Sequence, residues 1–487
     1  MTAAAPAAEL RRRVLRGLAW KGASQVFLQG SRLVVALTLA RLLSPRDFGL
    51  AGMVLVVTSL ALVFSDVALG AALVQRRELS ERDRSTAFWT CVAAGALFTV
   101  AGIAVSGPVA RFYGQPAVRP LLAALSLSFV VGALGAAQEA LLVRELRFRT
   151  LELRTMGGTA AGAVVGITLA ALGYGAWAIV GQQLAISAVS TALLWLASPW
   201  RPHAIFSPAS LRDLGRFSGN VFGQRVLFYL HRNADNLLVG RFLGPAALGA
   251  YALAYNVMLV PFSRLGGPLQ EVLFPAFSRL QDEPERIAAL WLRATRLVGA
   301  LSIPALAGLV VVAPDFVHLV LGGRWAQVAP LLQVLAWVGL LQSLQTLNSN
   351  ILQALDRTGT LLRYSIVFFA AHLTAFVVGL QWGVVGVAVG YAVSSTLVEP
   401  LYAWVTARAV GIPLLRLVRS LSGIAGAAAA MAGCALALRI LLEREGVPVA
   451  PRLVLCILAG VVVYLPCCGV LAPELRLELR RLRGAEG

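Results

Sequence analysis

Two apolar stretches of the 487-residue chain carry polar side chains at helical spacing. In the first, Lys21, Gln25, Gln29 and Arg32 follow one another at intervals of 4, 4 and 3, so they share one helical face. In the second, Asn220, Gln224, Phe228, His231 and Asp235 follow at 4, 4, 3 and 4, with Arg225 and Arg232 flanking that face. Guanidinium forks grip phosphate through paired hydrogen bonds, and side-chain amides bond to hydroxyls. A site made of these groups suits an anionic, hydroxyl-rich ligand. Arg32, Arg225 and Arg232 would take the charge, and Gln25, Gln29, Asn220 and Gln224 the hydroxyls. His231 and Asp235 would modulate that charge, and Asp66 and Glu139, in other apolar runs, are candidate counter-ions or proton carriers.

The elements that must position them are membrane helices. Hydrophobic residues make up 58% of the chain and charged residues 13%, against about 25% charged in ordinary soluble domains. Mean hydropathy is +0.78. Apolar runs of about 18 or more residues recur from end to end. Breaks rich in Pro, Gly and Arg cut the chain into fourteen expected spans, among them 18–40, 86–106, 215–240, 246–275, 326–354 and 384–407. The run after Trp20 is too long for a signal-peptide core, and no small-residue cleavage site follows it, so it is read as a retained first span.

With the N-terminus cytoplasmic, the cytoplasmic segments hold about three times as many Lys and Arg as the opposite loops, which fits the positive-inside rule. Both termini are then cytoplasmic. The net charge of +19 is largely topology, with anionic headgroups and not nucleic acid as its partners. Five cysteines, all in apolar runs, lack metal-ligand spacing with histidine. There is no phosphate loop, zinc-protease helix or nucleophile elbow, and the expected external loops are short, so catalysis has little support.

A fixed offset of 200 lays Ala40–Gly49 (ARLLSPRDFG) over Gly240–Gly249 (GRFLGPAALG), matching Arg41 to Arg241, Pro45 to Pro245 and Gly49 to Gly249. It also pairs Arg32 with Arg232. Each lies nine residues before its loop arginine, about 13 Å along a helix. Spans 1 and 7 hold equivalent places in two six-span halves, the mark of a parallel repeat about an axis along the membrane normal. The expected organisation is a basic N-terminus (1–17), an N-lobe (18–200), a C-lobe (201–410), two additional spans (411–473) and a basic tail (474–487). The hairpins around Arg41, Pro45 and Gly49 and around Arg241, Pro245 and Gly249 are candidate gate elements.

An arginine or aspartate near the bilayer centre costs about 2.5–3.5 kcal/mol. The striped faces therefore line a polar cavity or meet partners. In the second case Asp235 pairs with Arg232 and merely joins span 7 to a neighbour, and Arg32 alone could snorkel to the interface. Further intramembrane polar groups are Arg264, Glu271, Asn348, Asn350, Gln353, His372 and Glu399. His372 reads as a core histidine. Glu271, Asn348 and Asn350, near span ends, read as solvated, and Gly423, Gly426 and Gly433 as points of close helix approach.

The segment Asp235–Asn256 (DNLLVGRFLGPAALGAYALAYN) resembles bacterial polysaccharide exporters of the Wzx type, closest to the branch of colanic acid and teichuronic acid exporters. Phe274–Asp282, Asn348–Gly359 and Ala40–Gly49 fit the same likeness, which covers roughly residues 10–470. The resemblance implies the multidrug/oligosaccharidyl-lipid/polysaccharide exporter superfamily, with two six-helix lobes around a V-shaped cationic cavity. It further implies an undecaprenyl-diphosphate-linked oligosaccharide, flipped across the bacterial cytoplasmic membrane by alternating access for exopolysaccharide, capsule or O-antigen assembly. Coupling to H+ or Na+, no catalytic residue, and polymerase or assembly proteins as partners also come with it. Competing readings are a multidrug antiporter of the same superfamily, a membrane-embedded polymerase or glycosyltransferase, and a non-transporting assembly scaffold.

Overall fold

A computed structural model describes residues 20–475 apart from 21–24, 26, 33, 66–72, 74–78 and 209–218, and gives backbone alone for 62–65, 219–228, 230, 231, 261–268 and 271. Among the described residues all regular elements are helices. After a helical segment over 34–42 come Pro45–Ser65, Glu81–Tyr113, Val118–Arg144, Phe148–Ala171, Trp177–Ala197 and Gly219–Arg279. Then follow Pro284–Phe316, Val328–Leu344, Asn348–Ala354, Thr358–Gly379, Gly383–Ala409, Leu414–Arg444 and Val449–Leu471. Nine described segments are long and apolar enough to cross a membrane, and one of them, Thr358–Ala409, contains two of these helices. The protein is a multi-pass, all-helical membrane protein.

Contacts divide the chain into two compact units, Met1–Gly249 and Ala250–Gly487. In the first, helix 81–113 packs on 118–144, and 148–171 on 177–197. In the second, helix 284–316 packs on 328–344 and 414–444, helix 358–379 on 383–409, and 414–444 on 449–471.

Local chemistry sets the helix ends. The third span starts at Glu81, five residues before the expected 86, because Ser80 and Asp83 cap each other. The Ser80 backbone N–H donates to the Asp83 carboxylate at 3.1 Å, and the Asp83 N–H donates to the Ser80 hydroxyl at 3.2 Å. The same helix stops at Gly114, held at φ 62°.

The expected continuous span 326–354 is instead two helices, Val328–Leu344 and Asn348–Ala354. A break inside a membrane frees backbone groups that must find other partners. Gln270 supplies one: its side-chain N–H donates to the Thr346 carbonyl at 2.5 Å, and its backbone carbonyl in turn accepts from the Asn350 side chain at 3.1 Å. Asn348 is fully buried and donates to the Gln345 side chain, so it is part of the break and not a solvated span end. Glu271 carries no described side chain.

Small residues set the helix spacing. Gly158, Gly162 and Gly166 form one buried edge of helix 148–171. A methyl on Gly158 would lie 2.1 Å from the Ser190 hydroxyl, and one on Gly162 2.4 Å from Ile186. Of the glycines expected to serve this way, Gly423 does, against the Leu471 carbonyl, whereas Gly433 has nothing within 4 Å. Lipid tails are as apolar as leucine, so close backbone packing replaces hydrophobic collapse as the source of adhesion.

Gly162→Leu is therefore expected to lower resistance to denaturing detergent by about 1–3 kcal/mol, the usual cost of overpacking. Gly433→Ala, open on all sides, should leave it unchanged. Unfolding followed by tryptophan fluorescence reads both.

Candidate functional site

The two copies of the repeated segment lie against each other. Ser44 starts the first: its N–H and hydroxyl donate to the Asp47 carboxylate at 3.0 and 2.6 Å, and the Asp47 N–H donates to the Ser44 hydroxyl at 3.2 Å. Pro45 follows as the first helical residue, where its missing N–H costs nothing. The second copy starts differently. Gly244 takes φ 82° and ψ −179°, a conformation open to glycine, and breaks the 219–279 helix just before Pro245.

Each glycine then meets the other copy's proline. A methyl on Gly49 would lie 1.6 Å from the Pro245 carbonyl oxygen, and one on Gly249 would lie 1.9 Å from that of Pro45. The obstacles are backbone atoms, so only glycine fits at either place. Gly49 and Gly249 are both buried, and the Tyr229 hydroxyl, from the helix before the Gly244 break, donates to the Val56 carbonyl of helix 45–65. Arg41 and Arg241 stay exposed. The Arg241 guanidinium stands 5.6 Å over the Phe112 ring and 5.8 Å over that of Phe242.

The polar stripes divide by exposure. Gln25, Arg32 and Arg232 are exposed and Gln29 is half-buried. Asp235 is buried, accepts from the Asn236 N–H at 2.7 Å, and shares the covered side of its helix with Ala234 and Val239. Asn220, Gln224, Arg225 and His231 lie on the helix, with side chains outside the described residues, and Asp66 lies outside them altogether. Glu139 is brought into a two-bond ion pair with Arg154, at 2.9 and 3.0 Å, which joins helix 118–144 to 148–171. His372 is buried among Phe368, Tyr391 and Phe376, with ring centroids at 4.0, 4.8 and 6.0 Å, as a core histidine would be.

Two arrangements escaped the reading of the sequence. Arg439 and Arg452, expected in external loops, both bond the buried Asp315, at 2.8 and 2.5 Å. That cluster ties helices 284–316, 414–444 and 449–471 together. Glu399 is 3% exposed and sits beside Tyr364 and Tyr402, whose rings stack at 4.0 Å. Asp315 directly follows Pro314 at the end of an apolar run, a weak signal that could have marked it.

Several known proteins are similar to this chain in sequence or fold. Residues 38–330 match a family described as polysaccharide biosynthesis protein, and residues 221–456 match one described as lipid II flippase MurJ. The chain is 32% identical over 385 residues to the lipopolysaccharide biosynthesis protein WzxC of Escherichia coli, covering 78% of each. It is 27% identical to the teichuronic acid biosynthesis protein TuaB of Bacillus subtilis, covering 97% of this chain and 98% of that one. Among solved structures, lipid II flippase MurJ in an inward closed conformation superposes with a TM-score of 0.73 at 15% identity, covering 93% of this chain and 99% of that one. An inward-facing multidrug transporter of the MATE family gives 0.65 at 14% identity, over 79% and 95%. At these identities the structural likeness defines the fold.

Two substitutions test the packing of the site and of its frame. In a Leu248→Cys background the thiol is buried beside the crossing. Adding Gly49→Val should raise its maleimide labelling rate about tenfold or more, since overpacking costs about 1–3 kcal/mol. Asp315→Ala would leave Arg439 and Arg452 only Glu443, 3.9 Å from each, and should destabilise the protein by up to about 3–5 kcal/mol in detergent unfolding.

Proposed function

Because the chain belongs to the polysaccharide biosynthesis protein family, we propose that it is a flippase for a polyprenyl-diphosphate-linked oligosaccharide. It moves this lipid from the cytoplasmic to the periplasmic leaflet of the bacterial inner membrane, with both termini cytoplasmic, and makes or breaks no covalent bond. Relatives named for polysaccharide biosynthesis, succinoglycan transport and glycan flipping support the reading.

The observation that carries it is the exposure of Arg32 and Arg232 at equivalent positions of the repeat. A diphosphate cannot enter hydrocarbon bare, since unpaired ions cost on the order of tens of kcal/mol there in Born terms. Two guanidinium groups, one from each copy, replace water at the head group. Arg225, Gln25, Gln29, Asn220 and Gln224 complete the cavity wall, while the prenyl tail stays in lipid. The crossed segments at Pro45–Gly49 and Pro245–Gly249 seal one side of the path. His231 and Asp235 set the charge of the wall, and a polymerase or other assembly protein takes the product.

In vesicles containing a fluorescent undecaprenyl-diphosphate-linked oligosaccharide, Arg32→Ala and Arg232→Ala should each slow flipping about tenfold or more. A hydrogen bond to a charged group is worth about 1.5–3 kcal/mol. Wild-type rates in the double variant, at matched insertion and stability, would sink the assignment.

A further inference from the structure

Among the described residues the buried acids are Asp83, Asp235, Asp315 and Glu399. Asp315 bonds two arginines and Asp83 accepts from Ser80, whereas no lysine, arginine or histidine among the described residues forms an ion pair with Glu399. It lies on helix 383–409, about 24 Å from the N-terminal end and about 15 Å from the C-terminal end at 1.5 Å per residue. Its depth is that of the span's interior.

The groups that face it are few. Helix 358–379 contributes Tyr364, whose hydroxyl donates to the Val398 carbonyl at 3.3 Å and is thereby committed elsewhere. Its own helix contributes Tyr402, which bonds Ser349 of the short helix 348–354. Helix 328–344 sends Trp337 to Thr396 and Gln342 to Tyr391. The basic residues at the start of helix 414–444, Arg416 and Arg419, are exposed. A carboxylate in these surroundings has no ion-pair partner among the described residues, and an unpaired charge is costly at such a depth. Pro400 follows it directly and removes the helical hydrogen bond to the carbonyl four residues earlier, which leaves a flexible point beside the acid.

We propose that Glu399 is a proton-binding site of the transport cycle, closed and protonated in this conformation and emptied in a conformation that bends helix 383–409 and admits water. This rests on the flippase reading above. A proton bound in one conformation and not the other biases their equilibrium by that difference alone, and through it couples a pH gradient to movement of the lipid. The carboxyl group gives its proton to water and takes one back, and no other reactant is needed.

The test uses vesicles holding the full-length protein and a fluorescent undecaprenyl-diphosphate-linked oligosaccharide. A pH difference of one unit should shift the distribution of this probe up to about tenfold per coupled proton. In Glu399→Gln the probe should equilibrate between leaflets with no response to the gradient, and Glu399→Asp should restore part of the response. Infrared difference spectra of the same protein without probe should contain a protonated-carboxyl band that vanishes in Glu399→Gln. A Glu399→Gln protein that answers the pH gradient like wild type overturns the proposal, as does absence of the band from wild type. Driving by a Na+ gradient in place of H+, lost in Glu399→Gln, overturns it too. If wild type moves no probe, the flippase reading falls, and the infrared band still decides whether residue 399 holds a proton.

Discussion

Hydrocarbon gives a charged side chain nothing to interact with, so each charge inside the bundle must bring its own partner or be paid for in insertion. The chain meets this constraint by making its ion pairs into joints. Glu139 and Arg154 hold one helix hairpin to the next. Asp315 gathers Arg439 and Arg452 and so fastens the last two helices to helix 284–316. Elsewhere adhesion comes from glycine edges such as Gly158–Gly162–Gly166, where backbones approach within van der Waals reach.

Much of this was legible in the sequence. Length and continuity of the apolar runs give a polytopic helical protein, and Pro and Gly punctuation places most helices within a few residues. The Arg/Pro/Gly repeat at offset 200 pointed to equivalent segments, and Pro45, Gly49, Pro245 and Gly249 do meet. What escaped was tertiary. Nothing local to Arg439 or Arg452 says that both reach Asp315, 124 and 137 residues away. Glu139 could be read as a counter-ion or a proton carrier, but its partner Arg154 could not be named, because it follows a turn and lies on the next helix. The break at 345–347 was hidden because its stabilising group, Gln270, is contributed by a distant helix. Of the candidate site, helix phase could be read, but exposure could not: Arg232 is open and Asp235, three residues on, is covered.

Three departures from regular helix among the described residues lie beside polar groups. Gly244 interrupts one long helix, Gln345–Leu347 separates two short ones, and Pro400 weakens a third beside Glu399. Between them run stiff rods locked by ion pairs and glycine edges.

The crossing of Pro45–Gly49 with Pro245–Gly249 carries a last implication. Contacts in which i meets j′ while i′ meets j are those of an isologous interface, the kind two identical subunits make about a twofold axis. Were the two hairpins on separate identical chains, any change to one would appear in both. Joined in one polypeptide, they differ while keeping the contact: one start is clamped by Ser44 and Asp47, and its counterpart carries Gly244 and Ala247 in their place. Fusion thus allows one side of a symmetric contact to be stiff and the other compliant, an asymmetry closed to a dimer of equal parts.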